Sequence, residues 1–255
     1  MIASEARKIT ARRGVMTLLI LTTIGAVVLV YAITEIFHLA QPAKYPTVGG
    51  DPGFRRIVDI MGRIGLIPAA ILGATAGAQD VEAGVIRDMF VTGRPRWLIY
   101  LLRNVGATVV WVPLIVIAYA VGILATFVFS NGLPDPNAAQ IFQGLGYVVG
   151  VSLSFVLVTL GIATLFGSRG PAIAVAIGWI IIAEGLLTAV TFLGNVREAF
   201  FSVASGRLAP QIGGGAQGGP FNTLHPSLGM AIVTIVAWAL VAYALGNWRT
   251  SRLEA

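Results

Sequence analysis

Residues 78–103, AQDVEAGVIRDMFVTGRPRWLIYLLR, form the most charged stretch of the chain and lie between two long apolar runs. Apolar residues recur in it at helical spacing, and charged residues occupy the other side: Val81, Val85, Ile86, Met89 and Phe90 against Asp80, Glu82, Arg87 and Asp88. This pattern is typical of a short amphipathic helix at a membrane surface, which Gly93 and Pro95 then end. Segment 78–96 is therefore expected to connect two membrane spans.

The rest of the chain has the composition of a membrane protein. Of its 255 residues, 56% are hydrophobic and 11% charged, with a mean hydropathy of +0.86, whereas a soluble domain carries roughly 25% charged residues. Six apolar runs are near the ~20 residues that cross a hydrocarbon core: about 14–37, 57–77, 97–129, 142–166, 172–193 and 227–248. The sequence predicts an all-α, polytopic membrane protein with a single transmembrane domain over residues 1–255.

Charge distribution predicts the orientation of the chain. Six spans place both termini on one side, and residues 1–13 form a basic interfacial N-terminus suited to anionic lipid headgroups. With this side in the cytoplasm, 11 of the 17 Lys and Arg residues lie in inner segments, as the positive-inside rule favours. We expect both termini to be cytoplasmic in a cell membrane. The basic residues are scattered at the ends of apolar runs, so nucleic acid is not an expected partner.

Two outer loops are unusual. The first, about residues 39–54, is rich in Pro and Gly and favours turns over a regular element. The last, 194–226, is longer than a connection requires. Apolar residues at helical spacing in 196–208 favour a short interfacial or re-entrant helix before the last span, and a surface loop with a chance apolar stripe is the alternative.

A resemblance to a known family rests on residues 82–103. Glu82 is followed by Gly84, an apolar run, Pro95 at a turn, Arg96 and, two turns later, Arg103. This order resembles the cytoplasmic loop of the membrane subunits of type-2 ABC exporters, the drug and polysaccharide exporter permeases. The position of the segment between the second and third of six spans agrees with that family.

The resemblance implies a function and partners. The chain would be the permease subunit of an ATP-driven exporter, pairing with a second permease copy or a paralogue and with a separate ATPase subunit that binds ATP and Mg²⁺. The helix over residues 80–92 would lie in a groove of the ATPase. The ATPase-coupling residues would be Glu82, Gly84, Arg87 and Arg96, with Glu82 and Arg87 as the main contacts. A helix before the last span would close the outer end of the pathway.

Signals of chemistry within the chain are weak. No GxxxxGK[ST] phosphate loop or GxSxG motif occurs, cysteine is absent, and His38 and His225 have no partner at ligand spacing. We therefore expect no enzyme activity, metal or cofactor in this chain itself.

Two charged residues lie within predicted spans, where charge is costly and often indicates function. Arg63 lies in the outer half of the second span and Glu184 in the fifth, at depths that differ by only ~5 Å along the helices. We expect them to approach each other on the substrate pathway, as an ion pair or through water. The alternatives are a packing pair unrelated to transport, or a protonated Glu184 bonded to a neighbouring carbonyl.

Other functions stay open. A proton-coupled or facilitative secondary carrier would use Glu184 as its titrating group, although no internal repeat is visible. A membrane scaffold without transport is the third possibility, but it has no need of Arg63 and Glu184 in apolar surroundings.

Overall fold

The computed structural model of the chain describes residues 2–45, 47–85, 93, 95–210 and 226–252. These residues are mostly helical and contain no strand. As predicted, six of the described helices are long and apolar enough to span a membrane: Arg13–Ala40, Gly50–Glu82, Arg96–Val128, Ala138–Phe166, Arg169–Ala189 and Leu228–Arg252, the first to sixth spans. The described residues also contain three shorter helices: an N-terminal helix Ile2–Thr10, a 3₁₀ helix Thr191–Ala199 and a loop helix Phe201–Leu208.

The second span begins seven residues before its predicted start and shortens the predicted first outer loop. Hydropathy identifies only the part of a helix that lies in lipid, but here the polar turns before it are helical too. Asp51 pairs with Arg55 at 2.9 Å, and Asp59 pairs with Arg63 at 3.1 Å, both at a spacing of four residues. These pairs lie on adjacent turns and support the helical extension.

Glycines bring the second and fourth spans together at the centre of the bundle. About 67% of the apolar window of the second span and 61% of that of the fourth are buried, against 22% for the first and for the fifth. A Cβ atom at Gly73 would lie 2.3 Å from the carbonyl oxygen of Val156, and one at Gly77 would lie 2.4 Å from that of Leu160. The two backbones are therefore in direct contact, which only glycine permits.

The second GxxxG spacing in the sequence has a different environment. A Cβ atom at Gly146 or Gly150 would meet nothing within 4 Å, because both glycines face away from the bundle. The same GxxxG spacing thus occurs once at a helix–helix contact and once on an exposed surface.

The connection between the fifth and sixth spans contains helical structure, as predicted, but with different boundaries. Extended backbone at Phe200 divides it into the 3₁₀ helix and the loop helix. Val196, before the break, is exposed, whereas Phe201, Val203 and Ala204, after the break, are buried. Residues 211–225 of this loop, including His225, lie outside the described residues.

The N-terminal helix packs against protein as well as facing outward. Ile9 is buried, and the Glu5 Cβ would lie 2.6 Å from a Cβ placed on Gly106 of the third span. The helix therefore belongs to the bundle, at the end where the sixth span finishes at Arg252. We call this the terminal end, and the other the opposite end.

Candidate functional site

The predicted coupling segment begins at the terminal end of the second span, whose second helical part, after a turn at Gly65, runs from Leu66 to Glu82. The expected separate helix from Asp80 onward is wrong for its first residues, since Asp80 to Glu82 belong to the span. The helix ends in a Schellman arrangement: the Gly84 N–H donates to the Val81 carbonyl at 3.0 Å and the Val85 N–H to the Asp80 carbonyl at 3.1 Å. Gly84 has a φ of +69°, a left-handed conformation that favours glycine, so the turn itself accounts for the glycine at this position.

Arg87, the other predicted coupling contact, lies outside the described residues, as do residues 86–92. Nothing in the structure therefore tests the predicted amphipathic helix in that part of the chain.

Glu82 holds the start of the fifth span. Its carboxylate accepts a hydrogen bond from the Arg169 backbone N–H at 2.8 Å and pairs with the Arg169 guanidinium at 2.5 Å. A carboxylate at a helix N-terminus satisfies an unpaired N–H and interacts favourably with the helix dipole. Glu82 is nevertheless exposed on its other side.

Arg96 makes a similar connection between the third and sixth spans. Its guanidinium donates to the Ser251 carbonyl at 2.7 Å, in the last turn of the sixth span. A cation there satisfies a terminal carbonyl and complements the negative end of the helix dipole. Glu82 and Arg96, at the two ends of the connection, thus link four spans at the terminal end.

A buried ionic cluster lies behind this surface. Arg103 donates to the Asp80 carboxylate at 2.8 Å and to the Gly77 carbonyl at 3.1 Å, and Lys8 contacts the same carboxylate at 3.3 Å. The residues Asp80 and Arg103 are 3% and 2% exposed. Sequence reasoning placed Asp80 on a solvated helix face and missed this cluster. One signal for this cluster was present in the sequence: Arg103 directly precedes the apolar run of the third span, where a charge needs a partner.

Arg63 does not form the predicted direct pair with Glu184. Its Nε donates to Asp59 on its own helix at 3.1 Å, and its side chain is 62% exposed. Among the described residues, no ion pair joins Arg63 to Glu184. The direct pairing is therefore wrong, because each residue has nearer partners.

Glu184 is fully buried and accepts three hydrogen bonds. The donors are the Trp179 indole Nε1 at 2.9 Å, the Phe201 N–H at 3.0 Å and the Ser202 N–H at 2.7 Å. The last two are unpaired N–H groups at the start of the loop helix, which favours a negative charge. Glu184 also follows directly on a π-helical turn, Trp179–Ala183. Backbone donors have no signature in the sequence, so they could not be anticipated.

Arg63 and the neighbours of Glu184 nevertheless meet at one cavity of about 530 Å³. Its walls come from the second, fourth and fifth spans and from the loop helix. Arg63 and Tyr147 lie on one side, and Gly185, Thr188 and Ser202 on the other. The structure thus brings the two predicted pathway regions together around a shared space without a direct bond.

Comparison with known proteins does not identify the chain: no protein-family model and no curated protein matches it. The argument about function therefore rests on the residues themselves and on the geometry described above.

Proposed function

We propose that this chain is the permease subunit of an ATP-driven exporter, working with a separate ATPase subunit and a second permease copy or paralogue. The observation that carries the proposal is the cavity walled by the loop helix before the sixth span. It lies between spans, as a pathway requires, and its wall at the opposite end is the element that the family resemblance implies as an outer closure.

The links at the terminal end supply a mechanism for coupling. The partner ATPase binds ATP and Mg²⁺, and its closure pushes on the connection between Glu82 and Arg96. Because Glu82 holds Arg169 and Arg96 holds Ser251, the ends of the second, third, fifth and sixth spans move together. Nucleotide binding then shifts the bundle between two arrangements of the pathway.

The environment of Glu184 favours this proposal over the secondary carrier. A carrier needs a titrating group that exchanges protons with water, but Glu184 is 0% exposed and accepts three hydrogen bonds. Its bonds to the N-terminus of the loop helix suit the residue to hold this helix in place.

The test is purification and reconstitution of the complex. Gentle solubilisation of native membranes should yield the chain together with a polypeptide that carries an ATP-binding phosphate loop, and the complex should transport on addition of ATP. Transport by the isolated chain, driven by a proton gradient, would instead support the carrier.

Variants then test the coupling residues. Glu82→Ala with Arg87→Ala should reduce transport per ATP hydrolysed by at least ~10-fold, or release the ATPase, equivalent to ~1.4 kcal/mol or more. Arg169→Ala is the matched control, because it breaks the same ion pair but leaves Glu82 in place. If the double variant couples as well as this control does, the segment is not the ATPase contact.

A further inference from the structure

The cavity has the size and lining of a ligand site. Its volume of about 530 Å³ falls within the range of roughly 300–1,000 Å³ typical of small-molecule sites. Much of its wall is aliphatic or aromatic, formed by residues such as Ile67, Phe155, Ile177 and Ile180. This wall suits an apolar body or chain.

Polar groups line the cavity on both sides, but the full charge lies on the side of the second span. Among the described lining residues, Arg63 is the one with a full charge. Its Nε is bound to Asp59, which does not line the cavity, and within the described chain its other two nitrogens have no partner. These two nitrogens are therefore free to donate to a ligand.

Tyr147 stands beside Arg63 with an unused hydroxyl group. The residue is 7% exposed, and its hydroxyl oxygen would lie 2.2 Å from a Cβ placed on Gly62, next to Arg63 in the chain. Over the described part of the chain, this hydroxyl has no hydrogen-bond partner, and Tyr147 lines the cavity. A phenol hydroxyl at the cavity wall can donate a hydrogen bond to a ligand oxygen there.

We infer that the cavity binds a single-chain amphiphile whose anionic head group accepts hydrogen bonds from Arg63 and Tyr147. The planar guanidinium suits a phosphate or carboxylate, and the apolar chain lies along the aliphatic wall. Of the two nearby carboxylates, that of Glu184 is turned toward Trp179 and the loop helix, and that of Asp59 is bound to the Arg63 Nε. That the amphiphile is the transported cargo rests on the proposed function.

The head-group site is tested with dodecyl phosphate. Binding is measured by titration calorimetry on the full chain in nanodiscs of zwitterionic phospholipid. Arg63→Gln should weaken binding by at least ~10-fold, the effect of losing a charge-assisted hydrogen bond, and Tyr147→Phe should weaken it by about 3-fold or more. Arg56→Gln is the matched control, since Arg56 is two turns away on the same helix and does not line the cavity.

The chain site is tested by filling the cavity. Glycines 178 and 185 both lie in the fifth span, and a Cβ atom at either would meet nothing within 4 Å. Only Gly185 lines the cavity. Gly185→Leu should therefore abolish dodecyl phosphate binding while Gly178→Leu leaves it unchanged. Thermal melting of both variants shows that the fold is retained.

Three outcomes would overturn the inference: no binding to the native chain, equal binding by Arg63→Gln and Arg56→Gln, or loss of binding when anionic phospholipid is added to the nanodisc. The last would assign the site to a bilayer lipid. These measurements need no ATPase. If amphiphile binding is found but no ATPase associates, the exporter proposal fails and the binding site stands.

Discussion

Replacing Gly77 by alanine should separate the two central spans. A Cβ there would lie 2.4 Å from the Leu160 carbonyl oxygen, whereas ordinary contact begins near 3.4 Å, so the backbones must move apart by about 1 Å. The obstructing atom is backbone and cannot rotate away. Overpacking of this kind costs up to ~3 kcal/mol, and alanine recovers ~1 kcal/mol of helix propensity. The expected net destabilisation is ~2 kcal/mol.

Gly150→Ala is the matched control, because the new methyl group enters open space. This variant should gain up to ~1 kcal/mol from helix propensity alone. The difference of ~3 kcal/mol between the two variants corresponds to a separation of about 6–12 °C in melting temperature for a chain of this length. Thermal melting in one detergent measures it. Equal melting temperatures would show that the close contact at Gly77 does not exist.

Two further predictions concern the buried carboxylates. Asp80→Asn and Arg103→Met should each destabilise the chain by ~3–5 kcal/mol, because removing one partner leaves an uncompensated buried charge. The double variant should therefore lose far less stability than the sum of the two. Additive losses in a double-mutant cycle would contradict the pairing. Glu184→Gln replaces one acceptor oxygen by an N–H donor, so it should cost ~1.5–3 kcal/mol and speed hydrogen exchange at Phe201 and Ser202, an effect that unchanged amide exchange would rule out.

The number and approximate positions of the spans were predictable because the hydrocarbon core imposes a length on every apolar run. Helix ends were less predictable, since polar residues continue a helix that hydropathy no longer detects. The fourth span begins four residues early because Asn137 and Gln140 form a capping box, a signal that the sequence did contain. The second span begins before its predicted start because ion pairs stabilise its first turns. These pairs form only once the segment is helical.

The candidate site was predictable in its residue types but not in its bonds. A charge in an apolar run singled out Arg63 and Glu184; Glu184 is fully buried, whereas the Arg63 side chain is 62% exposed. Depth along separate helices could not show which way each side chain points. Arg63 took a partner four residues away, and Glu184 took backbone N–H groups from a helix whose start had no clear signal in the sequence.

A π-helical turn, Trp179–Ala183, directly precedes Glu184 in the fifth span. A π turn holds one residue more than an α turn, so its conversion to α-helix would rotate everything beyond it by about 100° and shift it by about 1.5 Å. Trp179 opens this turn, and Glu184 follows it; the two are bonded to each other across it. Since Glu184 also accepts hydrogen bonds from the start of the loop helix, such a rotation would either displace the loop helix or break these bonds.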